Sequence, residues 1–140
     1  MWAVLRFRGS RPITRRCASS TIWRTMATIF TGSIDALEFE PYPFPDDDIL
    51  DGNPNSRVHW VRPEEHGSHV VGIFRSDPAA IRYQWDKDET IHVVQGKLRI
   101  EFDTGENLDL GVGDVGSFTA GDRAVWHILE PFCEVFVLTA

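Results

Sequence analysis

Cysteine and long apolar runs are both scarce in this chain of 140 residues, and each scarcity removes a class of protein. There are two cysteines, Cys17 and Cys133. Cys17 falls in a compositionally distinct head, so the body holds one cysteine and cannot close an internal disulfide, as suits a reducing compartment. Cys133 lies between Phe132 and Phe136 and reads as a small buried hydrophobe rather than a nucleophile. The longest apolar run of the head, Trp2 to Leu5, is too short for a secretory core or a membrane span. Ala-rich and helix-periodic stretches are missing after residue 57, which excludes packed helices. Nothing resembles a Ser-His-Asp arrangement, a phosphate-cradling glycine loop or a nucleotide fingerprint.

Acid is missing from one part only. Residues 1–33 hold six arginines (Arg6, Arg8, Arg11, Arg15, Arg16, Arg24), no lysine and no acidic residue. The other 8 of the 14 basic residues stand against all 21 acidic ones, a charge of −13. An acidic body disfavours nucleic acid and anionic membrane as partners, because phosphate binding needs clustered cations. The Arg-, Ser- and Thr-rich head has the composition of an organellar transit peptide. A tail without structure, or a true start at Met26, would account for it as well. The protein is expected in the mitochondrion on the first reading and in the cytoplasm on the others.

Residues 34–56 carry Pro41, Pro43, Pro45, Asp46-Asp47-Asp48 and Gly52-Asn53-Pro54-Asn55. Alternate prolines favour extended chain and remove ladder donors, so this segment is expected as a leader lying over the domain, with Tyr42 and Phe44 as anchors. The Asp triplet lacks the spaced ligands of a calcium loop and reads as a solvated turn. From Arg57 to the end the chain reads as one all-β domain, residues 57–140. Short strands are expected near 57–61, 69–75, 80–85, 89–95, 97–103, 106–110, 115–118, 123–129 and 132–139. Gly and Asp turns separate them, the pattern of a β-sandwich or barrel. Leu98, Ile100 and Phe102 alternate with Lys97, Arg99, Glu101 and Asp103, a period of two that buries one face.

Two segments go beyond a generic barrel. One is Glu89-Thr-Ile-His-Val-Val-Gln-Gly96 with Lys97-Leu-Arg-Ile. The other is Gly113-Asp-Val-Gly-Ser-Phe-Thr-Ala-Gly121 with Asp-Arg-Ala-Val-Trp126-His-Ile. Gly96 and Gly121 suit hairpin positions that need positive φ, and Gly113-Asp114 tightens a return between strands. The pair resembles the two motifs of the cupin superfamily. More closely, it is similar to the single cupin domains related to ureidoglycine aminohydrolase and to the cupin of ethanolamine utilisation. The resemblance covers residues 57–139 and implies a jelly-roll-like barrel around a ligand pocket. It also implies a metal site in which the first motif supplies two His and a Glu, and the second supplies another His. Carried over by position, the Glu is Glu89, the His pair falls at Tyr83 and Trp85 (or Arg82 and Gln84 with a turn one residue longer), and the last His at Ala124. Three of the four ligands are therefore replaced, and a transition metal wants at least three N, O or S donors on one side. No metal or other cofactor is expected, save that Glu89 with Gln84 and Tyr83 leaves room for a weak, hard divalent cation.

Strand parity orders the remaining candidates. With Glu89 inward, Ile91, Val93 and Gln95 share its face, Ala124, Trp126 and Ile128 share another, and Tyr83 pairs with Trp85. His92 and His127 stand an odd step from Glu89 and Ala124 and should face away, while His66 and His69 sit in an acidic turn and His59 shows no partner. The expected cavity is thus apolar and aromatic around one inward carboxylate, the usual form of a small-molecule site. The ligand-binding candidates are Tyr83, Gln84, Trp85, Ile91 and Trp126; filling the barrel interior is the alternative role for the aromatics. Glu89 is the candidate catalytic acid or base, since burial raises a carboxyl pKa toward neutrality, unless Arg82 or Arg99 pairs with it structurally. The related cupins carry an Arg-Lys pair after the second motif. Here that stretch is Pro131-Phe132-Cys133-Glu134-Val135-Phe136, which removes the basis for an acidic ligand there and for transferring an amidohydrolase activity.

The expected function is binding of a small organic metabolite, with Glu89 catalysing an isomerisation, dehydration or hydrolysis. A metal-dependent hydrolase or oxygenase with atypical ligands, and a non-catalytic sensor or structural homodimer formed through faces bearing Val94, Val125 and Val137, stay open as alternatives.

Overall fold

The structure is a computed structural model that describes residues 27–139. It divides after Glu38 into two units. The described part of the first holds a single 3-10 turn, Ile34–Ala36. The basic head, and with it most of the transit-peptide reading, lies outside the described residues.

From Phe39 onward the chain forms β1 (Glu40–Pro41), β2 (Ile49–Gly52), β3 (Arg57–Arg62), β4 (His69–Ser76), β5 (Ala79–Gln84) and β6 (Asp88–Gln95). They are followed by β7 (Leu98–Phe102), β8 (Asn107–Leu110), β9 (Val115–Phe118), β10 (Arg123–Ile128) and β11 (Phe132–Thr139). A six-stranded sheet runs β1-β3-β4-β11-β6-β9, a five-stranded one runs β2-β5-β10-β7-β8, and every pairing is antiparallel. The all-β expectation holds, and each strand expected from periodicity appears within about two residues, the usual uncertainty at element ends.

The proline-rich segment adds two short strands. β1 and β2 each sit at the edge of a sheet, where a proline's missing N–H faces no neighbour that needs it. The chain between Pro41 and Ser56 is tied back to the body: Tyr42 N–H donates to the Ser56 carbonyl at 2.8 Å, and Ser56 Oγ donates to the Tyr42 carbonyl at 2.7 Å. Trp60 Nε1 donates to Glu40 Oε1 at 2.8 Å.

Alternation places the core between the sheets. On β6 the buried residues are Glu89, Ile91 and Val93; on β10 they are Ala124, Trp126 and Ile128; on β7, Leu98 and Ile100. Gly96 and Gly121 take φ of +86° and +96° in the returns after β6 and before β10, conformations that cost a residue with Cβ about 1 kcal/mol or more. The Gly111–Asp114 return is closed by Asp114 Oδ2, which accepts from Gly111 N–H at 2.8 Å. Its link to β6 is direct: Val93 N–H donates to the Asp114 carbonyl at 3.0 Å. Gly72 on β4 is required for a different reason. A Cβ there would collide with the Phe136 ring, so the missing side chain lets that ring lie against β4.

Candidate functional site

The sheets enclose a cleft with about 540 Å³ of empty space, open solvent at its mouth included. Register stacks its walls in levels. On the six-stranded sheet, Leu138 of β11 stands beside Glu89, then Trp60, Gly72 and Phe136 fall in one row, then Val58, Phe74 and Glu134 in the next. Tyr83, Ile81, Trp126 and Ile128 line the facing sheet, while Tyr42 and Phe44 close the cleft from the leader. Among the lining residues there is no arginine, lysine or histidine.

Glu89 enters this space because β6 alternates strictly up to Val93, and it is 5% exposed. Its Oε2 accepts from Trp85 Nε1 at 2.8 Å and from the Tyr83 hydroxyl at 3.3 Å. Among the described residues both bonds go to that one oxygen. Burial pushes the carboxyl pKa up to about 7, against the two hydrogen bonds, which hold it down. The Tyr83 phenol is driven well above its ordinary value, first by burial and then by the Glu89 charge.

The rings around the carboxylate form a connected set. Tyr83 packs on Trp85 at 5.0 Å and on Trp126 at 5.2 Å between ring centroids. Phe44 meets Tyr83 edge-on at 6.5 Å, Tyr42 meets both Phe44 (5.9 Å) and Trp60 (6.0 Å), and Trp60 meets Phe136 at 5.8 Å. The Trp126 indole N–H is buried and has no acceptor among the described residues.

The residues singled out by sequence separate into three groups. Glu89, Tyr83 and Trp126 line the cleft together. Trp85 stands behind them: it is 1% exposed, stacked on Phe118 at 4.7 Å and Phe102 at 5.8 Å, and does not border the cleft but supports it through its hydrogen bond to Glu89 and its packing on Tyr83 and Trp126. Ile91 is fully buried on the same strand face but does not border the cleft. Gln84 must be corrected: it is exposed, because β5 alternates and puts Tyr83 and Gln84 on opposite faces. Gln95 is also exposed. β6 and β11 shift register between Cys133 and Glu134, so that Val93 and Gln95 face consecutive β11 residues and the inward phase ends at Val93. Arg82 and Arg99 do not pair with Glu89. They lie outside, Arg82 3.8 Å from Asp48 and Arg99 2.8 Å from Asp109.

The expectation of a lone inward carboxylate is overturned. Glu134 is 2% exposed, borders the cleft, and its Oε2 has no hydrogen-bond partner among the described residues. Its pKa is raised well above the ordinary carboxylate value, by burial first and the Glu89 charge second. The signal was present, since Glu134 shares strand parity with Phe136 and Leu138 in an apolar run. Along the sheet it pairs with Val93, four residues from Glu89, or roughly 13 Å of strand rise. The two acids therefore occupy two levels of one cleft and do not form a proton-sharing dyad.

The metal that cupins commonly hold does not fit these residues. The positions of its histidines carry Tyr83 and Trp85 (or Arg82 and Gln84) and Ala124, and among the described residues no three His, Cys, Asp or Glu side chains come together. His92 is exposed, and His127 points outward to Glu101 at 3.2 Å.

Two antiparallel sheets closed over an aromatic cleft define a small jelly-roll barrel with an interior site. Residues 63–135 match the EutQ-like cupin domain, and the chain belongs to that family. No curated protein matches it at a significant level. Among solved structures it is similar to the EutQ protein of Clostridium difficile (18% identity, covering 78% of this chain and 85% of that one, TM-score 0.60). It is also similar to the cupin domain of Schizosaccharomyces pombe Cnp3 (10% identity, 83% and 77% covered, TM-score 0.63). Ectoine synthase from P. lautus is a third (14% identity, 66% and 68% covered, TM-score 0.56). At such identities the likeness establishes the fold alone.

Proposed function

We propose that the cleft over Glu89 binds a small organic molecule and that Glu89 moves a proton on it. The observation that carries this reading is a carboxyl held in an aromatic cleft by two donors on one oxygen, with its pKa pushed up to about 7. A general acid or base is most effective when its pKa lies near the working pH, because both forms are then populated. Trp85 and Tyr83 fix the orientation of the carboxyl through Oε2. Oε1 takes the proton from a bound ligand or returns it. Removal and return of one proton suits isomerisation or dehydration, and activation of a water suits hydrolysis. Glu89 is itself nearly buried, which strengthens each electrostatic contact the carboxyl makes. The likeness to ureidoglycine aminohydrolase read from the motifs supports no amidohydrolase step, because the Arg-Lys pair of those relatives is replaced around Glu134.

The test is the Glu89→Gln variant in a screen of small metabolites followed by thermal shift and product analysis. A compound that stabilises the native protein should be turned over at least about 100-fold more slowly by the variant. Equal affinity and equal turnover in a normally folded variant would remove Glu89 from the function.

A further inference from the structure

Glu134 is the residue that the proposed reaction does not use. A carboxyl buried in an apolar wall keeps its proton unless a cation pairs with it, and leucine or glutamine would be cheaper at the same place. Nothing in the described chain pairs with it. The basic residues nearest it in the sheet are engaged elsewhere, Arg75 over the Phe39 ring and Arg57 with Asp77, while Arg82 lies by Asp48 and Arg99 by Asp109. Its Oε2 is both unpartnered and shielded from solvent, and the side chain borders the cavity.

We infer that the cleft takes a small organic cation, an alkylammonium group, with Glu134 as its counter-ion and the rings of Tyr42, Trp60, Phe136, Tyr83 and Trp126 as its walls. This deepens the small-molecule reading and rests on it. Ring faces attract a cation within about 6 Å of their centroids, most strongly when water is excluded. The lining holds two acids, several aromatic rings and no basic residue, so its electrostatic sign is unopposed. An anionic ligand would meet two acids and no cation. A neutral apolar ligand would leave Glu134 as unpartnered as before. A bare metal ion would need several oxygen or nitrogen donors converging on one point. The two carboxylates instead stand at different levels, separated by aromatic and aliphatic surface that suits the carbon atoms of an alkylammonium.

The test uses the full chain with its tryptophan indoles labelled, titrated with tetramethylammonium and ethylammonium chlorides at constant ionic strength. tert-Butanol and ethanol serve as neutral counterparts, pivalate as the anion, and manganese(II) chloride as the metal. The ammonium probes should shift the Trp126 signal and bind at least about 10-fold more tightly than their neutral counterparts. Glu134→Gln should abolish that preference, and a retained indole spectrum and neutral-probe binding will show that the variant is folded. Neutral, anionic or manganese probes binding as tightly as the ammonium ions would overturn the cation assignment and leave small-molecule binding standing. Failure of every probe to perturb the indole signals would overturn both. A preference that survives Glu134→Gln but disappears in Glu89→Gln would remove Glu134 as counter-ion.

Discussion

Trp85 Nε1 donates a 2.8 Å hydrogen bond to Glu89 Oε2 from a ring that is itself packed against both Phe118 and Phe102. A rigid core residue thus sets the position of an acid that faces the cleft. Trp85→Phe keeps most of the stack and removes the donor. The lost bond is one of two that hold the Glu89 pKa down, so the carboxyl should titrate above pH 7 in the variant. Stability should fall by about 1–3 kcal/mol, the cost of a buried acceptor losing a partner together with a smaller ring. Carbon-detected titration of the Glu89 carboxyl and urea unfolding read the two effects. An unchanged midpoint would show that the indole does not govern this acid.

The raised pKa of Glu89 has a consequence for stability with a definite sign. The folded state holds the proton more tightly than the unfolded chain, about 7 against 4.5. The contribution is therefore complete below pH 4.5 and is lost as pH rises through 7, roughly 3 kcal/mol in all. Glu134, raised by its own burial, works in the same direction. The titratable groups that border the cleft with Glu89 are Tyr42, Tyr83 and Glu134, and neither phenol ionises in this window because both are raised from 10. Urea midpoints taken between pH 5 and 8 should fall steadily for the native protein. They should fall less for Glu89→Gln.

The periodic part of this molecule was legible and its exceptions were not. Alternation in Glu89–Val93 and in Ala124–Ile128 identifies the inward faces without coordinates, because strand side chains repeat every two residues. Gln95 was misplaced because one register shift against β11 ends the inward phase, and a bulge leaves no mark in composition. Glu134 was missed for a different reason. Its neighbours Phe132, Cys133 and Phe136 are all buried, so the run reads as a hydrophobic strand with one polar residue, and only its parity with Phe136 shows that the acid points inward. The leader's part in the cleft was half visible. Tyr42 and Phe44 stood out as anchors, but that they border the same cavity as Glu89 depends on tertiary placement by Ser56.

Gly72 and Phe136 make a further test of how the cleft is shaped. A methyl group at position 72 cannot coexist with the present position of the Phe136 ring. Gly72→Ala should push that ring toward Trp60 and Tyr42, reducing the space beside Glu89. Overpacking of this kind costs typically 1–3 kcal/mol. The combined variant Gly72→Ala with Phe136→Leu should recover much of the loss, since the smaller side chain leaves room for the added methyl. Urea unfolding of the two single variants and the double variant gives the coupling energy, and simple additivity would show that the ring does not depend on the glycine.

Tyr42 tests whether the leader belongs to the site or only covers it. The ring is 42% exposed at the mouth of the cleft, touching Phe44 and Trp60, and its backbone rather than its side chain bonds Ser56. Because those backbone bonds survive truncation of the side chain, Tyr42→Ala should leave the segment in place and cost only about 1 kcal/mol of stability. Its effect on the cleft should be larger. Removing one wall opens the mouth to water, raises the local dielectric around Glu89 and takes away one ring face. The Glu89 pKa should then move down from about 7 toward 4.5 as its desolvation is relieved. Ammonium probes should also dissociate faster, because solvent now reaches the contact between cation and ring. Titration of Glu89 and line-shape analysis of the Trp126 indole signal measure these changes in one sample. If both stay as in the native protein while stability drops by several kcal/mol, Tyr42 is a structural clamp on β3 and has no part in the site.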